Sequence, residues 1–80
     1  MSQVETKTEE LTLAQQFECR ANVEKGNRVY ANAAVLFLHA TQYDPDLISA
    51  HRGLVDVQKK LGNSNGLRLA EEGLAAALER

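Results

Sequence analysis

The sequence predicts an all-α fold of two antiparallel helix-turn-helix hairpins, four helices in total. Apolar residues recur at helical spacing in four stretches, short joints containing Gly, Asn or Asp separate them, and no stretch alternates as a strand does. The pattern is also doubled, since the Gly-Asn pair at 26–27 returns 36 residues later at 62–63. A small, large, small triplet returns after 37 residues, as Ala33, Phe37 and Ala40 and then as Ala70, Leu74 and Ala77. Self-similarity at such a period is typical of a repeated helix pair.

Length and charge narrow the class of protein. The chain has 80 residues, 44% of them hydrophobic and 25% charged, which is enough for one small domain. Its net charge is −2 and no basic stripe is present, so no nucleic-acid partner is expected. The longest apolar run, 33–38, is far shorter than the roughly 20 residues that span a membrane, so no membrane partner is expected. The lone Cys19 and the absence of a secretory signal predict a cytoplasmic protein.

The domain is predicted to cover residues 9–80, behind a disordered tail. Residues 1–8 are polar and show no periodicity. Thr6 and Glu9 have the spacing of a capping box, which predicts that the first helix begins near Thr6 or Thr8.

The first hairpin is predicted at about residues 9–43. In its first helix three residues recur at intervals of four: Leu13, Phe17 and Ala21. This helix ends at Gly26, where glycine can adopt a positive φ. The second helix is predicted from about Arg28 to Tyr43, and its centre is apolar on nearly every side, as expected of a helix between two neighbours.

The second hairpin is predicted at about residues 46–80. Asp44 is a good N-cap and Pro45 a good first helical residue, because the N–H that proline lacks is not needed there. The third helix then ends at Gly62. A polar loop follows, and it offers two candidate N-caps for a fourth helix at about residues 66–79, namely Ser64 and Asn65.

These positions resemble the tetratricopeptide repeat family, whose repeat is a helix pair with small residues at the helix crossings. The first copy matches it at Phe17, Ala21, Tyr30, Ala33, Phe37 and Ala40, followed by Pro45. The second copy is looser and has His51 where the family often has an aromatic residue. The resemblance implies hairpins stacked in a right-handed superhelix. It also implies a concave groove, lined by the first helix of each hairpin, that binds a peptide or a partner helix.

The same resemblance gives the candidate binding residues of the groove. They are Gln15, Glu18, Asn22, Lys25, Ser49, Arg52, Asp56, Lys59 and Lys60. In chaperone-binding members an asparagine at the position of Asn22 helps to bind a terminal carboxylate. Glu18 replaces the usual basic companion, so a receptor for chaperone tails is not expected. Arg52, Lys59 and Lys60 are instead predicted to bind an acidic segment, the alternative being an ordinary solvated helix face.

Catalysis, metal binding and cofactors are not expected. Cys19 with His39 or His51 is the one possible thiol–imidazole pair, and the spacing of these residues does not suit a metal site. We expect Cys19 to be a semi-buried, inert thiol beside the packing face. His39 is expected to be partly buried and hydrogen-bonded to a neighbour, and the His51 ring to pack against the first hairpin.

Self-association is the alternative hypothesis for function. In the fourth helix, Leu69, Gly73 and Ala76 are predicted to face a second chain or a larger partner, because small residues permit close helix approach. The simpler interpretation is that Leu69 is an ordinary exposed leucine. The predicted function is a protein-binding adaptor, and the alternative is a self-associating helical bundle with a structural or regulatory, including DNA-linked, role.

Overall fold

Four α-helices make up most of residues 11–80, the part of the chain that the computed structural model describes. They are α1 (Leu13–Gly26), α2 (Tyr30–Tyr43), α3 (Ile48–Leu61) and α4 (Ser64–Glu79). No strand occurs between residues 11 and 80. The prediction of an all-α fold with four helices is therefore confirmed for residues 11–80.

Helix α1 begins with a capping box. The Thr12 hydroxyl accepts a hydrogen bond from the Gln15 backbone N–H at 3.1 Å, and the Gln15 side-chain oxygen accepts one from the Thr12 N–H at 2.9 Å. The helix thus begins later than predicted, because this reciprocal pair satisfies two N–H groups of the first turn. The capping box predicted at Thr6 and Glu9, like the tail 1–8, lies outside the described residues.

The turn between α1 and α2 differs from the prediction. Gly26 does not adopt a positive φ; Arg28 does, with φ of +64°. The Val29 N–H donates to the Glu24 carbonyl at 2.9 Å, which closes the turn, and α2 begins at Tyr30 rather than at Arg28.

The Asp44-Pro45 segment forms a turn rather than the start of a helix. The Asp44 carboxylate accepts from the Asp46 N–H at 3.1 Å, and the Asp44 carbonyl accepts from the Leu47 N–H at 3.1 Å. Helix α3 begins only at Ile48. The predicted start at Pro45 is wrong because the Asp44 side chain closes a local turn, one of the alternatives open to aspartate.

The junction of α3 and α4 confirms one prediction and corrects another. Gly62 ends α3 in the left-handed conformation, with φ of +70°. The N-cap of α4 is Asn63, whose side-chain oxygen accepts from the Gly66 N–H at 3.1 Å; neither Ser64 nor Asn65 serves as the cap.

Gly62→Ala is expected to lower the free energy of unfolding by about 1 kcal/mol, because a Cβ is strained at this φ. Gly26→Ala is the matched control, since Gly26 also ends a helix but has no positive φ and no atom near the Cβ position. Urea unfolding of both variants, followed by circular dichroism, measures the difference. Equal stabilities would contradict the prediction.

The helices pack in chain order. Helix α1 packs on α2, α2 on α3 and α3 on α4, and α1 also contacts α3. Among the described residues no Cα atom of α2 lies within 8 Å of a Cα atom of α4. This order is consistent with the sequential stacking of two hairpins. The core consists of five alanines and three larger residues, and its buried members are Ala21, Ala33, Phe37, Ala40, Ala50, Leu54, Val57 and Ala70.

The two hairpins pack closely where Phe37 of α2 meets Gly53 of α3. Phe37 is 1% exposed. A Cβ added to Gly53 would lie 2.4 Å from both Cε1 and Cζ of the Phe37 ring, so the ring rests directly on the α3 backbone. No helix in residues 11–80 combines the length and apolar character needed to cross a bilayer.

Candidate functional site

An ion-pair cluster joins the two hairpins where α1 contacts α3. Lys25, in the last turn of α1, places its Nζ 2.8 Å from Oδ2 of Asp56 in α3. Lys60, one turn after Asp56, places its Nζ 3.9 Å from the other carboxylate oxygen. The structure thus brings together three of the nine predicted binding residues. We call the set of all nine predicted residues the α1/α3 face: Gln15, Glu18, Asn22, Lys25, Ser49, Arg52, Asp56, Lys59 and Lys60.

The other predicted residues are placed in two ways. Asn22, Ser49, Arg52 and Lys59 are exposed. Gln15 and Glu18 are half-buried, and the Gln15 side chain is engaged in the capping box of its own helix. Gln15 therefore has a local structural role, and the exposed polar residues are the ones available to a ligand.

The α1/α3 face is positively charged although the chain is negatively charged. Its four basic and two acidic residues give it a net charge of +2, against −2 for the whole chain. The pKa of Asp56 lies below its ordinary value of 3.8, chiefly because Lys25 donates a hydrogen bond to the carboxylate. Desolvation opposes this shift, and the charges of Lys25, Lys60 and Lys59 add to it. Asp56 thus stays ionised and holds Lys25 and Lys60 beside each other.

Asp56→Asn is expected to lower the free energy of unfolding by less than about 1 kcal/mol at pH 7, because both partners are about one-third exposed or more. A lowered carboxyl pKa stabilises the fold fully above the ordinary value of 3.8, and this stabilisation is lost as the pH falls through the folded-state pKa. The difference between wild type and variant should therefore vanish in acid. Urea unfolding across that range measures it, with the exposed Glu71→Gln as control. A difference that persists below the folded-state pKa would contradict an ionic origin.

Tyr30 lies beside this cluster, although the sequence pattern predicted only a packing role for it. The Lys60 Nζ lies 5.9 Å from the centre of the half-buried Tyr30 ring, a cation–π contact between α2 and α3. The two residues are far apart in the sequence, and no local signal in the chain predicts their contact. Tyr30 therefore restricts the position of one lysine of the cluster.

The residues predicted for self-association are not all free for a second chain. Leu69 and Ala76 are exposed on α4. Gly73 instead faces α3 of its own chain, since a Cβ there would lie 3.2 Å from Cε1 and Nδ1 of His51. The small residue allows close helix approach as expected, but the approaching helix is α3.

Cys19 and His39 occupy positions different from those expected. Cys19 is exposed rather than semi-buried. His39 is also exposed, and its ring stacks on Phe17 with 5.3 Å between centroids instead of hydrogen-bonding to a neighbour. His51 is buried, and its Nε2 lies 2.8 Å from the carbonyl of Pro45 in the turn that follows the first hairpin. Between residues 11 and 80, no three His, Cys, Asp or Glu side chains lie close enough to hold a metal ion.

Comparison of the chain with protein-family models, with curated proteins and with solved structures finds no match. The four helices fit a helical repeat without identifying a family. The resemblance to tetratricopeptide repeats therefore stays a prediction from the residues of the sequence.

Proposed function

We propose that this chain is a non-catalytic protein-binding module whose α1/α3 face binds an acidic segment of a partner. The observation that supports this most directly is the net charge of +2 on that face of a chain whose overall charge is −2. A positive patch on an acidic protein attracts carboxylates and disfavours basic partners.

Arg52 and Lys59 are the residues proposed to contact the partner first. Both are exposed, and neither forms an ion pair within residues 11–80. They lie seven residues apart on α3, which is two helical turns or roughly 10 Å. A peptide in the polyproline II conformation advances about 3.1 Å per residue and presents every third side chain on the same side, so carboxylates three residues apart match this spacing. The guanidinium can bind its carboxylate through two parallel hydrogen bonds.

Lys25 and Lys60 have a supporting role in this proposal. Each forms an ion pair with Asp56, so neither is fully available to the carboxylate of a partner. Their positive charge still adds to the potential of the face, because one aspartate neutralises only one of the two. Contacts of this kind are exposed to solvent, so the affinity is expected to fall steeply with added salt.

The proposal is tested with a set of synthetic peptides carrying two glutamates separated by zero to six residues. Binding to the full chain is measured by calorimetry at low salt. Arg52→Glu combined with Lys59→Glu is expected to weaken the best peptide about tenfold or more. The matched control, Arg20→Glu combined with Arg68→Glu, makes the same change of charge at exposed sites outside the face. Equal losses in both variants, or no dependence on glutamate spacing, would contradict a defined site.

Self-association is a second candidate, favoured by the exposure of Leu69 (59%) and Leu78 (56%) on α4. Light scattering after size exclusion across a concentration series gives the molar mass. A mass of 8.8 kDa that does not change with concentration would exclude this candidate. A mass near twice that value, abolished by Leu69→Glu, would support it.

A further inference from the structure

A second surface feature, separate from the α1/α3 face, is a groove with α3 as its floor and α2 and α4 as its walls. It encloses about 260 Å³. Leu38 and Thr41 of α2, His51 and Gln58 of α3, and Leu69 and Gly73 of α4 are among its lining residues. The groove is open because, within residues 11–80, no Cα atom of α2 lies within 8 Å of a Cα atom of α4. None of the nine residues of the α1/α3 face lines it.

The groove is mainly apolar. Leu38 (47% exposed) and Leu69 (59% exposed) stand on opposite walls, which leaves apolar surface facing outward. Among residues 11–80, no Asp, Glu, Lys or Arg lines the groove. A charged occupant would lose its hydration without gaining an ionic partner, so the occupant is expected to be neutral and apolar.

Two of the polar groups in the groove already donate their hydrogen atoms to backbone carbonyls, so toward the groove they can only accept. The Thr41 hydroxyl donates to the Leu38 carbonyl at 2.8 Å and keeps only its lone pairs. The His51 Nε2 lies 2.8 Å from the Pro45 carbonyl, and because a carbonyl can only accept, Nε2 must carry the hydrogen. In the neutral ring Nδ1 is then an acceptor, and it lies on the side of Gly73.

Gln58 supplies a third acceptor. Its side-chain oxygen Oε1 is buried and has no hydrogen-bond partner among the described residues. A buried carbonyl oxygen without a donor destabilises the state that contains it. The Gln58 side chain as a whole is partly exposed, and its terminal torsion is soft, so a small rotation can present the oxygen to a donor in the groove.

We propose that this groove binds a tryptophan side chain of a partner protein. Indole is a large apolar ring with one N–H donor and no acceptor, so it can fill an apolar groove while its N–H donates to Oε1 of Gln58, the acceptor without a partner among the described residues. A cavity of about 150 Å³ can hold benzene, so the groove has room for the larger indole. The chain contains no tryptophan, so a second copy cannot supply the ring.

The test is a titration of the full chain with N-acetyl-tryptophanamide, followed by 15N–1H NMR. The matched probe is the analogue in which sulfur replaces the indole N–H, because it has nearly the same shape but no donor. We expect shifts at Leu38, Thr41, Leu69 and Gly73, and about fivefold tighter binding of the indole than of the sulfur analogue. Equal affinities, or shifts confined to other residues, would overturn the proposal.

Gln58→Leu separates the hydrogen bond from the shape of the groove. This variant is expected to be at least as stable as the wild type in thermal unfolding, since it removes the unpartnered oxygen. Gln58→Leu should bind the indole and the sulfur analogue with about equal affinity. The control variant Gln42→Leu, changed at an exposed residue, should keep the wild-type preference for the indole. A preference retained in Gln58→Leu would overturn the proposed role of Gln58.

Leu69→Glu provides a second test at an exposed position. The added carboxylate at the wall of the groove should weaken both probes, because an apolar ring would lie beside a charge. Unchanged binding of both probes would overturn the placement of the site. Shifts at the same residues that grow with protein concentration in the absence of probe would instead assign the groove to a second copy. The outcome is independent of the acidic-peptide experiment, which concerns other residues.

Discussion

Phe37→Ala is expected to lower the free energy of unfolding by about 3–5 kcal/mol. Phe37 and Val57 are the largest fully buried side chains, and Phe37 lies at the centre of α2, the helix that packs on both α1 and α3. Alanine would leave a cavity between the hairpins that the surrounding small residues cannot fill. Because small domains have total free energies of unfolding of only about 5–15 kcal/mol, this one change would remove a large part of the stability of the fold.

Urea unfolding followed by circular dichroism at 25 °C measures this effect. Val35→Ala is the control, since Val35 lies on the same helix, is 53% exposed and should change the stability by about 0.5 kcal/mol or less. A loss in the Phe37 variant no larger than that of the control would show that the ring does not hold the hairpins together.

The local features of this fold could be predicted from the sequence. Helical periodicity identified all four helices, because the buried positions of each helix follow from its own spacing. The end of α3 was predicted for a similar reason: Gly62 is the residue that can adopt φ of +70° at no steric cost. Both signals depend on a few neighbouring residues and not on the rest of the structure.

The start of α3 could not be predicted from neighbouring residues alone. The Asp44 carboxylate can cap a helix or close a turn, and the two uses have similar sequence signatures. The structure adopts the turn, in which the Pro45 carbonyl accepts the hydrogen of His51. The turn is therefore accompanied by a contact with a side chain one turn into α3. The pattern of capping residues in the sequence does not indicate this contact.

Part of the candidate site could be predicted because it lies on a single helix, and part could not because it depends on how two helices pack. Helical spacing placed Arg52, Lys59 and Lys60 on one exposed or partly exposed side of α3 without reference to other helices. The pairing of Lys25 with Asp56 depends instead on the distance between α1 and α3. Gly73 is a similar case, because a small residue indicates close approach of a helix but does not specify which helix approaches.

Gly53→Ala is expected to lower the free energy of unfolding by about 1–3 kcal/mol, although alanine is the better helix former by about 1 kcal/mol. The new Cβ would lie 2.4 Å from two atoms of the Phe37 ring and 2.9 Å from a third. The ring is rigid and almost fully buried, so it cannot move aside without separating α2 from α3. Thermal and urea unfolding of the variant measure the net effect.

Gly66→Ala distinguishes a rigid obstacle from a short distance alone. Its Cβ would lie 2.7 Å from atoms of the Gln58 and Asn63 side chains, which are flexible. Because Asn63 caps α4 through the Gly66 N–H, we expect this variant to lose at most about 1 kcal/mol, less than Gly53→Ala. Shortening the ring in Phe37→Leu should recover part of the loss in the Gly53→Ala background, making the double variant more stable than the two separate losses predict. Strict additivity, or an equal loss in Gly66→Ala, would mean that the contact of Phe37 with Gly53 does not set the distance between the hairpins.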